Sequence, residues 1–219
     1  MAACGQGRGE RTRTALAAIM AGTPGLGLTA AAAATSDALV VQADLVLSLL
    51  DMAALLAIAV AVQRGTARAE WLAHYLVTLS MIASLVMISW LSLARLTMPA
   101  LAEGAGLWLA LILNSVHAPI NGWLLVRWRR AHRSSPSPAT AGQMRLFADK
   151  LTSNLLISGS IAATVSLGDH RLAPLVDPAA GLAMVAATIW WTGPAIMATL
   201  CRVAESLGCA LPSESRRPH

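Results

Sequence analysis

The sequence predicts an all-α membrane protein, folded as a bundle of six transmembrane helices. Hydrophobic residues make up 56% of the 219 residues, charged residues only 12%, and the mean hydropathy is +0.62. Soluble domains usually carry about a quarter charged residues, so this composition is typical of a membrane protein. In addition, apolar stretches near the ~20 residues that a helix requires to cross a bilayer recur along the chain.

Six such stretches are separated by short polar breaks, and they lie at residues 15–35, 38–62, 71–94, 104–126, 143–167 and 176–200. Prolines fall in or beside several of the breaks, where a turn suits them. Asp177 and Pro178 predict the start of the sixth helix, because Asp caps helices and Pro suits the first turn. The chain leaves no room for a separate soluble domain.

Arginines are distributed unequally between the two sides of the predicted bundle. Twelve lie on one side, at positions 8, 11, 13, 64, 68, 127, 129, 130, 133, 202, 216 and 217, and only Arg95 and Arg171 lie on the other. Cytoplasmic loops carry the excess of positive residues, so both termini are predicted to be cytoplasmic, in a multi-pass protein of the plasma (inner) membrane. The domains are then a cytoplasmic segment at 1–14, the transmembrane domain at 15–200 and a short cytoplasmic tail at 201–219, without a C-terminal soluble domain.

The first stretch has a second interpretation. RTRTALAAIMAGTPGLGLTAAAAATSDA, residues 11–38, combines arginines, an apolar run and small residues, as a secretory signal does. The Thr-Pro-Gly interruption at 23–25 and the immediate run into the next stretch favour a retained helix. Cleavage would leave five spans.

Two acids on one stripe of the second stretch are the first functional signal. Asp44 and Asp51 are seven residues apart, nearly two helical turns, and Leu47 and Ser48 lie between them on the same face. An ionisable side chain near the bilayer centre costs about 2.5–3.5 kcal/mol on insertion scales. These acids are therefore predicted to face a polar interior of the bundle.

The fifth stretch carries a matching cluster. Arg145 and Asp149 are one turn apart, in the same (i, i+4) relation as Leu47 and Asp51. Two helices that each offer residues at this spacing can together build a site with four ligands.

These residues resemble the membrane domain of the cation diffusion facilitators, over roughly residues 13–200. The family patterns are matched by Ala43, Asp44, Leu47, Ser48 and Asp51 in the second helix, by Arg145, Asp149, Leu151, Thr152 and Ser153 in the fifth, and by Asp177 and Pro178 in the sixth. The resemblance implies efflux of a divalent metal cation in exchange for protons, with Asp44, Asp51 and Asp149 as metal ligands and no cofactor. It also implies a homodimer, or a heterodimer with another family member.

The chain departs from the family at both histidine ligands, which are replaced by Leu47 and Arg145. Leucine has no lone pair and a guanidinium is a donor that stays charged, so neither coordinates a cation. The glycine- and histidine-containing segment of the family's third helix is also absent from HYLVTLSMIAS at 74–84. The predicted metal site is therefore atypical.

Three interpretations of the altered site stay open. In the first, Asp44, Asp51 and Asp149 still attract a divalent cation, and carboxylates favour Mg²⁺ or Mn²⁺ over Zn²⁺. In the second, the Arg145 guanidinium replaces the metal by bridging Asp51 and Asp149, in a non-transporting structural or regulatory relative. In the third, Arg145 and Lys150 extend to the membrane surface, and Asp149 pairs with one of them.

Other classes of protein find little support in the sequence. There is no His-Glu-x-x-His pair and no glycine-rich phosphate loop, so we predict that the chain is not an enzyme. The basic residues flank apolar stretches, which predicts contact with the lipid bilayer and no nucleic-acid partner. His117, within the fourth stretch, is interpreted as a packing residue that hydrogen-bonds a neighbouring helix rather than as a proton shuttle.

Overall fold

A computed structural model describes residues 2–99, 101–168 and 170–206, and these residues form helices and short connections, with no strands among them. The six helices are α1 (Ala2–Ala34), α2 (Leu39–Arg64), α3 (Ala67–Thr97), α4 (Gly106–Ser134), α5 (Pro138–Leu167) and α6 (Ala173–Ser206). The prediction of an all-α bundle is confirmed. Most of the predicted cytoplasmic tail, from residue 207 onward, lies outside the described residues.

Five of the helices contain a segment long and apolar enough to cross a membrane. These segments are Thr12–Ala34, Leu39–Ala61, Ala67–Thr97, Gly106–Ser134 and Ala173–Pro194. They support an integral membrane protein with several spans. Helix α5 has 30 residues but is not among them, because polar and charged side chains interrupt its apolar sequence.

Local sequence signals set several of the helix ends. Gly65 adopts the left-handed conformation (φ 62°) that ends α2, and the Thr66 side chain accepts a hydrogen bond from Ala69 N at the start of α3. Ser137 and Thr140 form a reciprocal capping box at the start of α5. The breaks between these helices are therefore short, so that α2 packs on α3 and α4 packs on α5.

The start of α6 differs from its prediction. The helix begins at Ala173, so Asp177 and Pro178 lie inside it. The Asp177 carboxylate instead accepts hydrogen bonds from Leu39 N (2.8 Å) and Val40 N (3.1 Å). The N-cap residue of α2, Ala38, has no side-chain acceptor, so the capping acid is supplied by a different helix.

Two apolar clusters occupy opposite halves of the bundle, with polar residues between them. One cluster is built around Ile58, Trp128 and Phe147, and the other around Val41 and Ile161. Along α4 and α5, the acids and amides described below lie between the segments that enter these two clusters, as Asp51 does on α2, whereas Asp44 lies beside Ala43 and Leu47 of the second cluster. The polar residues are therefore held near the middle of the bundle.

Helices α3 and α6 are in close contact at Gly181. A Cβ atom added there would overlap the Ser92 hydroxyl and lie 3.3 Å from Leu39 Cδ2. We expect Gly181→Ala to lower the free energy of unfolding by about 1–3 kcal/mol, the usual cost of overpacking a tight contact. Thermal unfolding in detergent would measure the loss.

Gly159→Ala is the matched control, since a Cβ atom there meets nothing within 4 Å. It lies inside α5, where alanine favours the helix over glycine by about 0.5–1 kcal/mol, so this variant should be at least as stable as the wild type. Equal destabilisation by both substitutions would contradict a specific close contact at Gly181.

Candidate functional site

A small polar pocket lies in the interior of the bundle, enclosed by α1, α2, α4 and α5. Its cavity measures about 50 Å³, which gives space for a few water molecules. Three carboxylates face it, those of Asp44 and Asp51 from α2 and that of Asp149 from α5. All three side chains are less than a tenth exposed.

Five of the six side chains that the sequence singled out line this pocket. Leu47 and Ser48 accompany the two acids of α2, as their shared helical face predicts, and Asp149 faces them from α5. Arg145, the sixth, is half-buried and does not line the pocket. The predicted face of α2 therefore lines the pocket, whereas of the pair Arg145 and Asp149 on α5 only Asp149 does.

The positive charge in the pocket comes from Lys150. Its Nζ lies 3.0 Å from Asp51 Oδ2, and the side chains are 22% and 8% exposed, respectively. Lys150 follows Asp149 directly, so its side chain leaves α5 about 100° further around the helix. The long side chain of Lys150 then reaches the same pocket from another direction. The interpretation in which Lys150 extends to the membrane surface does not describe this arrangement.

The other two acids are held by neutral donors. Asn114 Nδ2 on α4 donates to Asp44 Oδ2 at 3.3 Å, and Thr188 Oγ1 on α6 donates to Asp149 Oδ1 at 2.8 Å. The carbonyl oxygen of Thr188 in turn accepts from the Thr192 hydroxyl at 2.6 Å. Each carboxylate therefore has its own partner, on three different helices in all.

A chain of amides continues from Asp44 across the pocket. When the Asn154 amide is oriented so that both of its atoms are satisfied, it donates to Asn114 Oδ1 (3.1 Å) and accepts from Asn121 Nδ2 (2.9 Å). Asn121 and Asn154 both line the cavity. Asn114 is connected to it by the hydrogen bond that it donates to Asp44. The pocket is consequently surrounded by oxygen and amide groups on its α4 side.

Sequence reasoning gave these amides little weight, although a signal for them exists. Asn114, His117 and Asn121 follow one another at spacings of three and four residues, the same stripe that identified the acids of α2. Thr188 gives a weaker signal, because it shares its face of α6 with Thr192, and such hydroxyls are common between packed membrane helices.

His117 also faces the pocket and packs against α1. A Cβ atom added to Gly25 would lie 2.6 Å from His117 Cε1 and 2.7 Å from Nε2, so the ring rests directly on the α1 backbone. The absence of a side chain at Gly25 gives the imidazole its place at the rim of the cavity. This contact agrees with a packing role and keeps the ring within the polar site.

The three acids do not form a preformed metal centre. Across residues 2–99, 101–168 and 170–206, no three His, Cys, Asp or Glu side chains are grouped in a way that would hold a metal ion. Each acid is bonded to a protein donor through one carboxylate oxygen, so a cation that enters the pocket can use the other oxygen or displace the donor. With the acids ionised and Lys150 protonated, the pocket carries two net negative charges.

No model of a known protein family matches the chain, and no curated protein matches it either. The resemblance to the cation diffusion facilitators therefore depends on the residues quoted above. Function must be argued from the pocket itself.

Proposed function

We propose that the protein is a membrane transporter that moves a divalent cation through the central pocket in exchange for protons. The observation that carries the proposal is the set of three buried carboxylates facing one cavity in the middle of the bundle, with a single ammonium group among them. Acids inside a membrane bundle are costly and mark functional sites such as substrate or ion pathways and proton relays.

The charge of the pocket favours a divalent substrate. When all three acids are ionised, the carboxylates and the ammonium group leave two negative charges, which one divalent cation would neutralise. The available donors are carboxylate and amide oxygens together with the Ser48 hydroxyl, and oxygen donors suit Mg²⁺ and Mn²⁺. Zn²⁺ prefers nitrogen and sulfur ligands, and His117 is the single histidine that lines the pocket.

Lys150 gives this transporter an internal competitor for its substrate. Its ammonium group contacts Asp51 Oδ2, so an entering cation competes with it for this carboxylate. Binding of the cation also favours the ionised acids, so that protons leave the site as metal enters. Proton exchange then follows from the same carboxylates that bind the substrate.

We also propose that α5 is the sixth span of the bundle. It is as long as its neighbours and packs against α3, α4 and α6. Two of its three charged residues, Asp149 and Lys150, face the central pocket rather than lipid. A helix of this kind crosses a membrane within a bundle although its own hydropathy is low.

The test is cation uptake into proteoliposomes across a pH gradient, with Mg²⁺, Mn²⁺, Fe²⁺ and Zn²⁺ tried separately. We expect saturable uptake of Mg²⁺ or Mn²⁺, reduced at least tenfold by Asp51→Asn and by Asp149→Asn. Glu103→Gln is the matched control and should transport normally, since it removes an exposed carboxylate outside the pocket.

A second function is favoured by a specific observation, the Lys150–Asp51 ion pair at 3.0 Å. In this alternative the lysine replaces the cation permanently, and the protein is a structural or regulatory membrane component. Folded wild-type protein that takes up none of the four cations, at any pH gradient, would favour this alternative and refute the transport proposal.

A further inference from the structure

A second cavity lies on the outer surface of the bundle, in the groove between α2 and α3. It measures about 470 Å³, within the ~300–1,000 Å³ of small-molecule sites in proteins. Its walls include Leu56 and Val60 from α2 and Leu72 and Leu76 from α3, all at least 42% exposed. We call this feature the α2–α3 groove.

The groove has the dimensions of one membrane leaflet. It extends from Leu56 to Arg64 along α2 and from Arg68 to Leu76 along α3. Eight residues of helix rise about 12 Å. Half of the ~30 Å hydrocarbon core is about 15 Å, so an acyl chain of that leaflet can lie along most of the groove.

One end of the groove is basic. Arg64 and Arg68 are exposed, lie on either side of the tight turn at Gly65 and both line the cavity, together with Thr66. Neither arginine makes an ion pair with any described residue. The N-terminus of α3, the positive end of a 31-residue helix, lies at the same place.

We propose that the α2–α3 groove binds an anionic phospholipid, with an acyl chain along the leucines and the phosphate between Arg64 and Arg68. Charge complementarity selects this occupant, since two guanidinium groups at the end of an apolar groove match a phosphodiester at the end of a hydrocarbon chain. The arginine distribution predicts that this end faces the cytoplasm, where anionic lipids are enriched. The proposal is independent of transport through the central pocket.

Native mass spectrometry of the detergent-purified protein, titrated with phosphatidylglycerol or phosphatidylcholine, tests the assignment. The wild type should retain one phosphatidylglycerol molecule at concentrations where phosphatidylcholine is lost. We expect Arg64→Gln with Arg68→Gln to weaken phosphatidylglycerol retention about tenfold or more. Arg129→Gln with Arg130→Gln is the matched control, because it removes two exposed arginines of the same predicted side outside the groove.

A second variant tests the apolar part of the groove. Ala57→Phe fills the cavity between the leucine walls and should weaken retention without changing the charge. Three results would overturn the proposal. In the first, the two arginine double variants lose phosphatidylglycerol equally. In the second, the wild type retains phosphatidylglycerol and phosphatidylcholine equally. In the third, a groove variant changes the fraction of dimer but leaves the fraction of lipid-bound protein unchanged. The last result would assign the groove to a second copy of the chain.

Discussion

Asp51→Asn is expected to lower the free energy of unfolding by about 3 kcal/mol, the lower end of the range for breaking a buried ion pair. The substitution keeps the shape of the side chain but leaves the Lys150 ammonium group without its carboxylate in the interior of the bundle. Lys150 is 22% exposed, so water compensates part of the loss. For a chain of this size the midpoint of thermal unfolding in detergent should fall by roughly 6–12 °C.

A double-mutant cycle separates the ion pair from the cost of each substitution. Lys150→Met alone should also destabilise the protein, because it leaves Asp51 as an unpaired buried charge. The double variant, Asp51→Asn with Lys150→Met, should be clearly more stable than the sum of the two losses predicts, since neither charge remains. Strictly additive losses would show that Asp51 and Lys150 do not interact in the folded protein.

Asp177→Ala is the second substitution with a large expected effect. It removes the acceptor of two backbone N–H groups, those of Leu39 and Val40, which are buried at the start of α2. Hydrogen bonds to a charged group contribute about 1.5–3 kcal/mol each, so we expect a loss of about 3 kcal/mol in the free energy of unfolding. Hydrogen exchange should additionally be faster at the first turn of α2 than elsewhere in that helix.

The conservative variant defines the mechanism of this cap. Asp177→Asn retains one acceptor oxygen and should lose about half as much stability as the alanine variant. If both variants unfolded at the wild-type temperature, with unchanged exchange at Leu39 and Val40, the capping role would be refuted.

The sequence contained enough to predict the helices and the polar face of α2. Long apolar stretches set the six helices, and the spacing of Asp44, Leu47, Ser48 and Asp51 placed all four on one stripe. A stripe of polar residues on one helix can be recognised from the sequence of that helix alone, without knowing which helices pack against it. The amides of α4 follow the same rule and were predictable for the same reason.

The partners of these residues were not predictable in the same way. Arg145 and Lys150 both lie within a turn of Asp149, and only the rotation of α5 against α2 decides that Lys150 contacts Asp51. The rotation depends on the packing of α5 against α3, α4 and α6, and this packing cannot be predicted from a single sequence. Asp177 and Leu39 are 138 residues apart, so no local pattern connects the acid to the helix that it caps.

The charged residues of α5 have a consequence for how the protein is made. An Asp or Lys at the centre of a helix costs about 2.5–3.5 kcal/mol when the insertion machinery transfers it into lipid, and α5 contains Asp149 next to Lys150. The partner of Lys150 lies on α2 and that of Asp149 lies on α6. On the proposal that α5 crosses the membrane, we therefore expect its insertion to depend on α2 and on α6, which is synthesised after it.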